Sequence, residues 1–312
     1  MKQGVVILSI VLGALWLSSF SKDKPTEASL GKTLFFDPIL SEDRSISCAS
    51  CHKPQFAFAD TGRFSLGVRG QVGIRNTPSA MNVTGRPALF WDGRAATLED
   101  QALVPIANPI EMNLPVATAV ARLNASAQYR ALFNQVYHTT PTAKNLGAAL
   151  AAFERTLETG HTPNDRWMND EPNGLTEQQV RGRDIFRTKG KCFDCHFSPD
   201  FTGDEFRSIG LFNGKDLNDS GRFMATHNPA DINKMKVPGL RNVAVTAPYM
   251  HNGQFKTLAE VIEYYDNPNL LMPDGMFRDS LLLQPLGLTV QEKLDLEAFL
   301  NGLTDDQFVK RP

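Results

Sequence analysis

The chain has 312 residues, 42% of them hydrophobic and 21% charged, an ordinary globular composition with room for two domains. Its formal net charge of -2 offers no basic field to a nucleic-acid partner. Four cysteines in a chain of this length do not make the disulfide scaffold of a small secreted domain.

The chain opens Met1-Lys2, followed by an apolar run from about Val5 to Leu17 and polar residues from Ser18 to Lys24. A basic start and a short apolar core predict an export signal over residues 1–21. No Ala-x-Ala triplet before Lys22 marks a cleavage site. A retained N-terminal membrane anchor is therefore the competing reading, at the short end for a bilayer span. Either reading puts the body of the protein outside the cytoplasm, in the periplasm.

Residues 30–36 predict a helix that leads into Cys48-Ala49-Ser50-Cys51-His52. C-x-x-C-H is the attachment signature of c-type haem. The two thiols add to the vinyl groups as thioethers, and the adjacent histidine ligates the iron. Helices are predicted next at 97–102, with Glu99 and Asp100 near its start, and at 117–123, 127–136 and 145–157, where apolar residues recur at helical spacing. The polar stretch 161–174 contains Pro163, Pro172 and Gly174 and reads as a linker. It separates an N-terminal haem domain over 22–165 from a C-terminal one over 166–312.

The second half repeats the first at a distance. Thr176 with Gln179 three residues on forms a capping-box pattern. A helix at 179–186 then leads to Cys192-Phe193-Asp194-Cys195-His196. In both halves a Gly-Lys or Gly-Arg step runs into a hydrophobic pair and then the motif. A thioredoxin-like redox pair needs neither the histidine nor a second copy. A zinc site would need the two C-x-x-C pairs close together, yet about 140 residues separate them. Residues 201–237 read as loop around a haem, and 257–265 and 290–300 as helices. Strand signal is thin throughout. The expected fold is mainly α: two cytochrome c-like haem domains with long loops, carrying two covalently bound haem c groups.

Longer runs carry a resemblance. Gly73-Ile74-Arg75-Asn76-Thr77-Pro78-Ser79, Phe90-Trp91-Asp92-Gly93-Arg94-Ala95 and Asn108-Pro109-Ile110-Glu111-Met112 resemble the bacterial dihaem cytochrome c peroxidase family, which includes MauG-type enzymes. So do Lys236-Val237-Pro238-Gly239-Leu240-Arg241-Asn242-Val243 and Ala247-Pro248-Tyr249-Met250-His251-Asn252-Gly253. The resemblance implies a peroxidatic N-terminal haem and an electron-relaying C-terminal haem. It implies Gln101, Pro105 and Glu111 over the open face of the first haem, with Glu111 as acid/base and Gln101 bonding the bound peroxide. Trp91 matches the family tryptophan between the haems, an electron relay. Asn76, by its side chain, and Thr246 and Pro248, by their carbonyls, match the ligands of a calcium ion. His251 is read as a residue that bonds a haem propionate or orders the second pocket. His138, His161 and His227 sit in polar contexts and read as surface residues.

Two departures stand out. Many members close the resting N-terminal haem with a loop histidine sixteen residues after the proximal one; here that position is Val68. Many also use a methionine on the second haem, fourteen residues after the histidine of the Tyr-Met-His run; here it is Tyr265, and MauG uses a tyrosine there. Tyr264 and Met272 are the neighbouring alternatives. The expected function is reduction of hydrogen peroxide with electrons from a small periplasmic donor protein. A MauG-like oxidase of a protein or organic substrate is the second reading, and a plain electron carrier the third. The resemblance also raises a homodimer.

Overall fold

The computed structural model describes residues 24–309; the expected export signal or anchor at 1–21 lies outside the described residues. No described helix is long and apolar enough to cross a membrane. The described chain is mainly helical, as expected. In order the helices are α1 (Glu27–Phe36), α2 (Cys48–Cys51), α3 (Leu98–Ala107), α4 (Val116–Ala125), α5 (Ala127–Tyr137) and α6 (Ala143–Glu154). Then come α7 (Pro163–Met168), α8 (Glu177–Arg187), α9 (Phe223–Thr226), α10 (Leu258–Asp266), α11 (Pro268–Leu271) and α12 (Val290–Asn301). The strands are a two-residue antiparallel ribbon, β1 (Phe206–Arg207) on β2 (Met235–Lys236), with Phe206 opposite Lys236.

Most of these helices start where a hydroxyl can satisfy free N–H groups. Thr26, Thr142, Thr176, Thr257 and Thr289 each cap one in a reciprocal capping box. The same device corrects the linker reading of 161–174. Thr162 accepts from Asp165 N, Pro163 sits at the first turn, and Asp165 bonds back, so this stretch opens with α7. Asn164 N then donates to Gly302 O at 3.1 Å, fastening α7 to the end of α12. Residues 201–237 are loop except for α9, a 3-10 turn at Pro229–Asp231 and the ribbon.

Two hydrophobic cores follow one plan. In the first, α1 crosses α6, and Phe35, Phe58 and Phe153 meet with ring centroids 5.1–6.3 Å apart. In the second, α8 crosses α12, and Phe186, Phe201 and Phe299 meet at 5.2–6.1 Å. A glycine permits each crossing. A Cβ on Gly31 would lie 1.8 Å from the Ala149 carbonyl oxygen, and one on Gly182 would lie 1.9 Å from that of Asp295. The matching positions are therefore Gly31 and Gly182, Phe35 and Phe186, and Phe153 and Phe299. This is the internal duplication read from sequence, now in packing. Gly182→Ala is expected to destabilise the protein by about 1–3 kcal/mol, although alanine is the better helix former. Thermal unfolding checks this, and an unchanged or raised Tm would mean the two helices need no such close approach.

Charge pairs distant in sequence tie the halves together. Arg75 binds Asp92 at 2.6 Å and Asp219 at 2.7 Å, and Arg86 binds Asp200 and Asp204. Arg241 binds Asp165 at 2.8 Å and Asp200 at 2.9 Å. These guanidinium groups are largely buried and fork onto two carboxylates, which makes them stronger than isolated surface pairs. Lys236 N adds a backbone bond to Trp91 O at 2.7 Å.

Candidate functional site

Each C-x-x-C-H run forms one tight turn. The first is α2, and the second is a 3-10 turn over Cys192–Asp194. All four cysteines are free and half-buried, and burial pushes the Cys48 and Cys192 thiols up to about 12. His52 Nδ1 lies 2.9 Å from Phe58 O, and His196 Nδ1 lies 2.9 Å from Phe201 O. A carbonyl only accepts, so in both rings Nδ1 carries the proton and Nε2 keeps its lone pair free for a metal. Left-handed backbone aims both carbonyls: φ is 55° at Phe58 and 56° at Phe201, an unfavourable region for a bulky side chain. Burial lowers both histidine pKa values, which keeps the ligating neutral form.

Cys192, Cys195, His196 and Tyr265 line one cavity of about 240 Å³, with Ile262, Leu296 and Leu300 among its apolar walls. Lys236 also lines it, with burial pulling its pKa down and no carboxylate within salt-bridge distance among the described residues. Two thiols one turn apart, a free imidazole nitrogen, an apolar wall and a cation for an anionic substituent fit a haem. The tyrosines separate clearly. Tyr264 is fully buried and donates to Ile209 O at 2.5 Å, whereas Tyr265 faces the cavity. Met272 is not in the cavity wall.

The first motif has a carboxylate beside it. Glu111 sits half-buried in the turn after α3, where Asn108 Nδ2 donates to its Oε1 at 2.7 Å. Burial raises its pKa, while the Asn108 bond and Arg94 pull it back. Its charge acts on both Cys48 and Cys51. The loop carrying Val68 is docked on the same turn. Val68 N donates to Glu111 O at 2.8 Å, its side chain is fully buried, and a Cβ on Gly67 would lie 2.2 Å from Ile110 O. Gln101 is half-buried on α3, one turn before Pro105. Proline has no N–H, so the helix ladder leaves the Gln101 carbonyl without its usual partner.

Trp91, Asn76, Thr246, Pro248 and His251 all border the cavity at the second motif. Trp91 Nε1 donates to Asn76 O at 2.8 Å, and its ring meets His251 edge-on with centroids 6.4 Å apart. His251 is buried, which takes its pKa down to about 4; nearby Arg75 adds to this and Asp219 opposes it. Among the described residues no group of three His, Cys, Asp or Glu side chains forms a metal site. A cation at Asn76, Thr246 and Pro248 would rest on neutral oxygens, a set that suits calcium. His138, His161 and His227 are exposed, as expected. Asn108 and the Arg75–Asp92–Asp219 group were not singled out as site residues. Asn108 lies three residues before Glu111 in the run Asn108–Met112, and that spacing is its signal in the sequence.

Residues 25–173 match the family described as di-haem cytochrome c peroxidase. The chain is 38% identical over 282 residues to the methylamine utilization protein MauG of Methylorubrum extorquens, spanning 89% of this chain and 78% of that one. It is 36% identical to cytochrome c551 peroxidase of Nitrosomonas europaea, spanning 83% of this chain and 82% of that one. Among solved structures, a MauG-like protein associated with microbial copper homeostasis superposes with a TM-score of 0.83 and 33% identity over 93% of each chain. The diheme peroxidase BthA of Burkholderia thailandensis superposes at 0.79, with 28% identity, over 90% of this chain and 86% of that one.

Proposed function

The chain belongs to the di-haem cytochrome c peroxidase family, and from that membership we propose that it reduces hydrogen peroxide to water at the Cys48–His52 site, with electrons drawn through the Cys192–His196 site from a small periplasmic donor protein. It is an oxidoreductase that works with two haems. In this reading the haems are covalent, held by the two cysteine pairs, and supply the redox chemistry. His52 and His196 are proximal ligands, and Tyr265 is the second ligand at the second site. The two haem units are 22–165 and 166–312. A calcium ion at Asn76, Thr246 and Pro248 steadies the space between them, the protein is exported, and it pairs as a homodimer.

Glu111 carries the reading. Reduction consumes two electrons and two protons: H2O2 + 2e- + 2H+ gives 2H2O. Splitting the O–O bond needs a group that takes a proton from one oxygen and returns it to the leaving one. A partly buried carboxylate that is steered by Asn108 and sits beside Cys48 and Cys51 is suited to this. Gln101 offers a hydrogen bond to bound peroxide, and Trp91 carries electrons between the sites. Intact mass with haem staining, followed by steady-state oxidation of a reduced small cytochrome c by peroxide, tests the proposal. Two haems and peroxide-dependent oxidation are expected; two haems with no such oxidation would overturn it.

Tyr265 at the second cavity and Val68 beside Glu111 favour a second reading, a MauG-like oxidase of a protein or organic substrate. Peroxide consumption driven by such a substrate, and not by reduced cytochrome, would select it.

The raised pKa of Glu111 gives a pH signature. As a base it must be ionised, so activity falls as pH drops through its pKa, and the acid limb lies above the ordinary value of 4.5. Asn108 stabilises the carboxylate. Asn108→Ala is therefore expected to move the acid limb of kcat/KM to higher pH. Identical limbs in variant and wild type would break the link.

A further inference from the structure

A second carboxyl in the first unit has no part in the chemistry above. Glu154 ends α6 and is 8% exposed. Among the described residues it accepts no side-chain hydrogen bond and meets no cation within salt-bridge distance. Its neighbour Arg155 turns to Glu99 instead, at 2.7 Å. The Glu154 side chain is thus held inside the first unit without a partner of its own among the described residues.

The internal duplication says what this side chain faces. Ala149 and Asp295 receive the two crossing glycines, and Phe153 and Phe299 complete the two aromatic clusters. In that register Leu150 matches Leu296, and Glu154 matches Leu300. Leu296 and Leu300 both line the cavity at the second motif. Glu154 thus stands in the corresponding wall of the first haem site, where the second unit has a leucine. Its charge is also the strongest of those acting on the Cys48 sulfur. The other charged or titratable groups around it are few: Arg155 just after α6, Glu99 on α3 and Cys48 on α2. α1 turns Gly31, Leu34 and Phe35 inward, none of them charged.

We propose that Glu154 couples a proton to the electron at the first haem site: one electron arriving from a one-electron donor brings one proton from solvent onto the Glu154 carboxylate, and both leave on oxidation. The inference rests on a haem at Cys48, Cys51 and His52. Adding an electron makes the site more negative, which disfavours a carboxylate in its wall and favours the acid. Burial has already pushed Glu154 up to about 8, so it changes charge near neutrality, which a leucine cannot do.

The test is a redox titration of the first haem at pH values spaced from about 6 to about 9. One proton per electron converts each pH unit to a fall of about 59 mV, and the wild-type potential should approach that slope between the oxidised-state and reduced-state pKa values of Glu154. Glu154→Gln and Glu154→Leu, the latter copying the second unit, should flatten it. A slope unchanged in both variants, or one lost in Glu111→Gln and kept in Glu154→Gln, would overturn the proposal. The wild type offers a readout that needs no variant: the reduced-minus-oxidised infrared spectrum near pH 8 should gain a protonated-carboxyl band, and its absence would also overturn the proposal. A mass showing no haem at Cys48 and Cys51 would instead fail the cofactor reading.

Discussion

Glu111→Gln is expected to slow peroxide-dependent oxidation of reduced cytochrome by about 10²–10⁴-fold, the range for losing a positioned acid/base, with both haem spectra unchanged. The geometry makes this a clean comparison. The amide keeps the size of the acid, and its carbonyl can still accept from Asn108 Nδ2, as Glu111 Oε1 now does at 2.7 Å. The bond from Val68 N goes to the Glu111 backbone, so the docked loop stays in place. What is lost is the capacity to hold and return a proton. Turnover within a few-fold of wild type would reduce Glu111 to a turn residue.

The second large effect concerns the resting state. The fully oxidised protein is expected to bind cyanide, and to react with one equivalent of peroxide, at once and without prior reduction. The reason is Val68. The loop at the family's histidine position is packed onto the Glu111 turn, and the residue it buries there is a hydrocarbon that cannot bind iron. Tyr265 belongs to the same argument. As the proposed ligand, its phenolate would be a hard anionic donor that lowers the potential of the second iron and favours the oxidised states. Tyr265→Phe should therefore change the second-haem spectrum and raise its potential, while Tyr264→Phe should change neither, because Tyr264 is committed to Ile209 O. A resting first haem with two protein ligands, inert until reduced, would refute the Val68 argument. An unchanged second haem in Tyr265→Phe would refute the ligand assignment.

Local signals in the sequence were readable because the physics behind them is local. Both C-x-x-C-H turns, the threonine-capped helices and the Gly-to-Phe steps of α1 and α8 depend on neighbours within a few residues. The start of α7 is equally local: Thr162 and Asp165 form a capping box, and Pro163, which beside Pro172 and Gly174 reads as a breaker, sits in its first turn. Other features could not be read this way. The forks of Arg75 and Arg86 join residues more than 100 positions apart, and charge composition does not say which acid meets which base. Glu154 follows Phe153 in an apolar helix, and the helical spacing alone does not say what it faces. Only the crossing at Gly31, and the match with Leu300 in the other unit, turn that face inward.

On the proposed relay role of Trp91, its Nε1 bond to Asn76 O would decide what passes between the two halves. An indole that gives up an electron becomes strongly acidic at its N–H, and a basic partner would take the proton and trap the hole as a neutral radical. A backbone carbonyl has no such basicity. Trp91 would therefore stay a cation and be refilled without waiting for a proton to return. Electron passage through it should show no solvent deuterium isotope effect and no dependence on buffer, as followed by flash-triggered transfer between the haems. The protein would then keep proton movement at the carboxyls around the first site, and leave the path between its halves to electrons alone.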